Sequence, residues 1–169
     1  MDTTLEQAQQ EIVDEFAMLG DWQERYEHLI ELGKELPLIA PEKKTEENIV
    51  RGCQSRVWLT ASVSTALDMT DHEDPVSLRA QSRSDTSTGT TVIHFTADSD
   101  AMITKGLVAL LVRVLNDRTP AEILNTPLTF IDRIGLREHL SPNRSNGLVA
   151  MLDQMKRYAL AFSSNTNDA

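Results

Sequence analysis

Cys53 is the sole cysteine of the 169 residues, and its thiolate is the strongest nucleophile the chain can offer. It sits in the run Asn48-Ile49-Val50-Arg51-Gly52-Cys53-Gln54-Ser55-Arg56-Val57-Trp58-Leu59. One thiol cannot close an internal disulfide or complete a Cys-x-x-Cys pair. Nor can it supply the several thiolates of a zinc or iron–sulfur site within one chain. A proline-bearing loop precedes it and strand-like sequence begins about three residues later, so the thiol belongs on a turn at a sheet edge. Gly52 permits positive φ or close approach of another backbone. Arg51 and Arg56 flank the thiol, and nearby cations favour the thiolate. The other reading is a small, inert, buried hydrophobe.

A cysteine hydrolase needs a histidine base. His28, His72, His94 and His139 are present. His28 falls on an acidic helix, His72 in a polar turn, His94 within a strand and His139 just before a helix start. No local signature ties any of them to Cys53. No two histidines, and no histidine and cysteine, stand at metal-ligand spacing, and no glycine-rich phosphate loop occurs. Gly106 and Gly147 each sit alone in helical sequence, where close helix packing explains them. The stretch from Ser141 to Gly147 is unusually polar for a helix start. Ser141 and Pro142 are capping residues. Arg144 beside a helix N-terminus makes an anion-friendly spot, or it pairs with an acidic neighbour.

The elements that would position these residues are legible from periodicity. Leu5, Ala8, Ile12, Phe16 and Leu19 form one helical face, stopped at Gly20. Asp21 and Glu24 stand in capping-box spacing before a second helix with the stripe Trp22, Tyr26, Leu29 and Ile30. The two form a helical hairpin. Residues 36–44, with Pro37 and Pro41, should be extended loop. Residues 56–63 alternate with period two and predict a strand covered on one face. Residues 76–82 and 90–95 are two further strand candidates, and the short polar connectors favour an antiparallel meander. Asp98 or Ser99 can cap a helix running to about Asn116. Thr119, Pro120 and Glu122 start another. A short helix is expected over 128–136, and a final one from Ser141-Pro142, with a polar, frayed tail from Ser163. The order is α+β, with helices packed on one face of a small three-stranded sheet.

Composition sets the outer bounds. The length suits a single domain over 1–169. The hydrophobic fraction of 40% and charged fraction of 25% are globular values. Net charge is −10, which argues against nucleic acid and anionic membrane as main partners. Residues 1–50 hold 13 acidic and 4 basic side chains, read as solvated helix faces or as a docking surface for a basic partner. No apolar run is long enough to span a bilayer, and Met1 to Gln10 lack a signal pattern. A cytoplasmic location is expected.

At this point the sequence resembles a known family. Asp21-Trp22, Arg25-Tyr26, Ile30 to Gly33 and Leu36-Pro37 are similar to the first helical hairpin of the SufE family. Asn48, then Arg51 to Ser55, then Val57-Trp58 resemble its active-cysteine loop. Asp98 to Ala101 with Lys105 to Leu107 resemble the start of its long helix. Leu136, His139 to Leu148 and Met151 resemble its last helix. Between Asp68 and Thr88 the chain departs from the family pattern. The resemblance implies a SufE/IscU-like fold and a sulfur acceptor that serves iron–sulfur cluster assembly. A pyridoxal-phosphate cysteine desulfurase of the SufS type would pass persulfide sulfur to Cys53 and be stimulated in doing so. Cys53 would then deliver it to a SufB-type scaffold complex. It further implies partner contacts at Arg51, Gly52, Gln54, Ser55, Asp98, Asp100 and Arg144, no cofactor or metal of its own, no turnover alone, and room for a homodimer. A lone cysteine sets it apart from the IscU-type scaffold, which uses several. A Cys–His hydrolase and a structural adaptor with an inert thiol are the readings from other classes.

Overall fold

The computed structural model describes residues 4–37, 39–65 and 90–165. Helix α1, Leu5–Ala17, starts on a reciprocal capping box between Thr4 and Gln7 and buries Leu5, Ala8, Ile12 and Phe16. Helix α2, Trp22–Glu35, starts at Asp21, whose carboxylate accepts from the Glu24 N–H at 2.9 Å. The box is displaced by one residue: Glu24 reaches back to the Gly20 N–H, at 2.6 Å, rather than to Asp21. The expected extended loop after α2 is instead partly wound, with single 3-10 turns at Pro41–Lys43 and Glu46–Asn48. Proline at the first position of the former presets a helical φ.

Strand β1, Val57–Thr65, pairs antiparallel with β2, Thr91–Ser99, from Val57↔Ser99 to Thr65↔Thr91. The alternation read from the sequence holds at Val57 and Leu59, which face the core with Ile93, Phe95 and Ala97, but not beyond them, where Thr60 is buried and Val63 is exposed. The two strands pair directly along their whole length, so a meander with a strand between them is not the arrangement. The candidate at 76–82 lies outside the described residues, among which the sheet has two strands. The second strand also runs past its expected end. Asp98 and Ser99 continue the ladder opposite Trp58 and Val57 and are therefore not helix caps.

Helix α3, Met102–Leu115, begins after Ala101 with no side-chain cap. It is the central element, with Leu107, Leu110, Leu111 and Val114 fully buried. Packing against α2 depends on Gly106, where an added Cβ would lie 2.2 Å from the Leu29 carbonyl oxygen. Close helix approach is thus the reason for this glycine, as its context predicts. Helix α4, Pro120–Asn125, has the expected capping box between Thr119 and Glu122. The single short helix expected over 128–136 is two turns, α5 at Phe130–Arg133 and α6 at Leu136–His139, separated by Gly135 at φ 76°. Buried Gln9 holds this region to α1: its amide oxygen accepts from the Thr129 and Phe130 N–H groups, and its amide N–H donates to the Pro127 carbonyl. Helix α7, Pro142–Asn165, buries Leu148, Met151, Met155 and Ala159 and runs beyond Ser163. The fold is α+β, with packed helices against a two-stranded antiparallel sheet. Among the described residues no helix is long and apolar enough to cross a membrane.

Candidate functional site

The Cys53 loop is fastened at both ends. At its start the Val50 N–H donates to the Val57 carbonyl at 2.8 Å, and Ile49 bridges Trp58. At its end the Arg56 N–H donates to Asp100 Oδ1 at 3.1 Å, and the Ser99 hydroxyl donates to the Arg56 carbonyl at 2.9 Å. Residues 51–55 therefore bulge between clamped ends. Gly52 takes φ 99°, and a Cβ there would lie 3.2 Å from the Ala150 Cβ, so both backbone and space call for glycine. The loop rests on the first turns of α7. Cys53 Sγ donates to the Gly147 carbonyl at 3.4 Å, and the Asn143 amide N–H donates to Gln54 Oε1 at 2.9 Å.

Beside the sulfur is a cavity of about 280 Å³, lined by Cys53, Gln54, Ser55, Thr104, Ser141, Asn143, Arg144 and Gly147. Arg51 is not among them. It is exposed and lines a separate cavity of about 320 Å³, with Glu47, Asp153, Arg157 and Tyr158 among its neighbours there. This corrects the expectation that the flanking arginines hold the thiol ionised. Cys53 is half-buried, and burial pushes its thiol above the ordinary value. The cause is the loss of water around the charged form.

A pH dependence follows. While tucked against α7 the thiol is held protonated, because its affinity for the proton exceeds that of a free thiol. The stabilisation of the tucked pose is complete below the ordinary thiol range and is lost as pH rises through the raised value. Alkylation of Cys53 by iodoacetamide should therefore be slow at neutral pH. Its midpoint should lie above that of a free cysteine derivative measured alongside. A midpoint below that of the free thiol would contradict the burial account.

The expected partner residues divide into two groups. Arg51, Gly52, Gln54, Asp100 and Arg144 are exposed and Ser55 is half-buried, all on or beside the loop or its anchors. Asp98 is different: it is 5% exposed and accepts from Lys44 at 2.7 Å, Lys105 at 3.2 Å and the Ser99 N–H at 2.8 Å. Burial alone would raise its pKa, but these donors outweigh it and hold the carboxyl below its ordinary value. It pins Lys44, which lies over the Trp58 ring, and the start of α3 to the sheet. A buried carboxylate so occupied is not a surface contact.

The histidines take up other tasks. His28 pairs with Glu15, His94 bonds Ser64 and Asp117, and His139 stacks on Trp22 at 3.8 Å between ring centres. His72 lies outside the described residues. Among those described, no histidine lines the Cys53 cavity, and no group of three or more His, Cys, Asp or Glu could hold a metal ion. Arg144 pairs with no carboxylate among the described residues, which favours the anion-friendly reading of the α7 start. Thr104 and Asn143 were not singled out from sequence. Asn143 lay within the polar stretch already marked as unusual, whereas Thr104 is only a polar residue inside an apolar helix.

The family model for the Fe-S metabolism associated domain, SufE, matches residues 10–90 and 73–159. The two matched pieces overlap in the region where the sequence departs from the family pattern. An uncharacterized SufE-like protein of Rhizobium etli is 38% identical over 150 residues, covering 88% of this chain and 87% of that one. Another, of Rhizobium meliloti, is 37% identical over 150 residues, covering 88% of this chain and 92% of its own. The solution structure of a hypothetical protein of Thermus thermophilus aligns with a TM-score of 0.61 over 91% of this chain and 96% of that chain. At 21% identity this likeness speaks for the fold alone. The chain belongs to the SufE family, whose domain is associated with iron–sulfur metabolism.

Proposed function

We propose that the protein is a sulfur acceptor and carrier: Cys53 takes persulfide sulfur from a SufS-like cysteine desulfurase and passes it to a SufB-type scaffold complex. The observation that carries this reading is the placement of the thiol. The sole sulfur nucleophile sits on a short loop clamped at its base, half-buried, with open space beside it. A carrier needs this combination. The thiol must be shielded between partners, yet its loop must be small enough to swing out without unfolding what surrounds it.

The transfer is an exchange at sulfur. The Cys53 thiolate attacks the outer sulfur of the desulfurase persulfide, an S–S bond forms to Cys53, and the desulfurase cysteine leaves as thiolate with the electron pair. The elevated proton affinity of the tucked thiol slows its reactions in the free protein. Docking would draw the loop from α7 by breaking the Cys53–Gly147 and Gln54–Asn143 contacts, and the released thiol would ionise more readily. Arg51, Gln54, Ser55, Asp100 and Arg144 surround the loop and are the proposed contact surface. No second thiol exists in the chain to resolve the persulfide as an internal disulfide. The chain is proposed to turn over nothing alone. The reading is tested by adding the protein to a cysteine desulfurase with cysteine. Alanine production should rise with the wild type and stay at the unassisted rate with Cys53→Ser. Equal stimulation by both would overturn it.

A further inference from the structure

The outer face of the sheet holds a second nucleophile. His94 stands opposite Ser62 in the register, so Ser64 is its diagonal neighbour on the adjoining strand. Alternation turns both away from the face of Val57 and Leu59. Ser64 Oγ is 2.6 Å from His94 Nε2, and His94 Nδ1 is 2.5 Å from Asp117 Oδ1. A ring nitrogen so close to a carboxylate carries the proton, which leaves Nε2 of the neutral ring to accept from the Ser64 hydroxyl. A nucleophile within hydrogen-bond reach of a base, with the base oriented by a third group, is the arrangement that activates a hydroxyl.

The backbone holds Asp117 in place. Its N–H donates to the Ile93 carbonyl at 2.8 Å, the Ile93 N–H donates to the Arg118 carbonyl at 2.9 Å, and the Phe95 N–H donates to Asn116 Oδ1 at 2.7 Å. The residues on both sides of His94 are thus tied to the turn that carries the carboxylate. Asp117 takes φ 59°, the one positive φ of a non-glycine residue among those described, and such outliers persist where the surroundings fix them. The His94 and Asp117 side chains are 37% and 62% exposed, so a reagent can reach the group from solvent. Ser64 lies at the far end of β1 from the Cys53 loop, roughly 20 Å away at the rise of a strand. We propose that Ser64 is a covalent modification site: an acyl acceptor that His94 activates as base and Asp117 holds in position, taking one acyl group from a thioester or other activated ester. The Ser64 oxygen attacks the acyl carbonyl, an O–C bond forms, the C–S bond breaks, and the thiolate leaves with the electron pair. The hydroxyl proton passes to His94 Nε2 and from there to the departing thiolate. The transfer ends at the O-acyl serine, so it adds no turnover to the chain and stands apart from the sulfur-carrier reading.

The test uses the full chain as Cys53→Ala, because Cys53 would take up an acyl group itself. This parent is treated with p-nitrophenyl acetate at neutral pH, where p-nitrophenolate is the leaving group. Intact mass should rise by about 42 Da, one acetyl group in place of one proton, and peptide mapping should place it on Ser64. Added Ser64→Ala should leave that peptide unmodified. Added His94→Gln should slow acetylation of Ser64 about 100-fold, the contribution of a general base. Asparagine is tolerated in the left-handed region, so added Asp117→Asn should keep the turn while slowing the reaction. Nitrogen NMR of the His94 ring should then show the single Nδ1-protonated tautomer of the parent give way to a mixture. A parent acetylated only on lysines, or equal rates in the parent and with His94→Gln, would overturn the assignment. An unchanged rate and tautomer with Asp117→Asn would overturn the positioning role of Asp117.

Discussion

Gly106→Ala should lower the stability of the whole fold by about 2 kcal/mol or more. Alanine gains about 1 kcal/mol over glycine in a helix interior. Against this stands a Cβ only 2.2 Å from the Leu29 carbonyl oxygen, a backbone atom of α2 that cannot rotate aside. The two helices would have to part by roughly 1 Å to restore ordinary contact, and overpacking of this kind costs about 3 kcal/mol at its upper range. α3 also carries Thr104 and Lys105, so its displacement would disturb the Cys53 cavity and the Asp98 ion pairs. A urea titration gives the answer. The midpoint should fall with little change in slope, whereas a midpoint equal to or above wild type would show that the helices are not in close register at this glycine.

Gly147→Val should leave the fold standing and expel the cysteine. A Cβ at position 147 lies 3.4 Å from Cys53 Sγ, an ordinary contact, so Gly147→Ala should be accepted with the loop in place. Valine adds two methyl groups on that side with restricted rotation. They would compete with the sulfur for the same space, and the exposed loop is easier to move than a buried helix. Release removes the burial that raises the thiol pKa. The released thiol then yields more thiolate at neutral pH. Iodoacetamide should then modify Gly147→Val clearly faster than wild type, with Gly147→Ala close to wild type. Equal rates for all three would show that the Cys53–Gly147 contact does not shelter the thiol.

Local signals decided most of what the sequence disclosed. The Thr119–Glu122 capping box and the α1 stripe depend on neighbours within a few residues, and both stand in the structure, as does the alternation of β1 at Val57 and Leu59. The Cys53 loop was legible for the same reason: a proline-bearing loop, a glycine and a strand onset are adjacent in the chain. Failures came where the deciding contact was distant. Asp98 and Ser99 suit a helix cap as well as a strand, and only the register with Trp58 and Val57 settles them as strand. Arg51 is two residues from Cys53, yet Gly52 at φ 99° lies between them, and the two side chains line different cavities. Sequence proximity therefore misjudged the electrostatics of the thiol. Thr104 acquires its place only because the starts of α3 and α7 converge across a long stretch of intervening chain, which no periodicity encodes.

Intact-mass analysis after incubation with a cysteine desulfurase and cysteine tests the central claim most directly. Wild type should gain about 32 Da, the mass of one sulfur held as a persulfide, and lose it on treatment with a reducing thiol. Cys53→Ser should show no such gain. A sulfur adduct on Cys53→Ser, or an unmodified wild type beside an active desulfurase, would contradict the account.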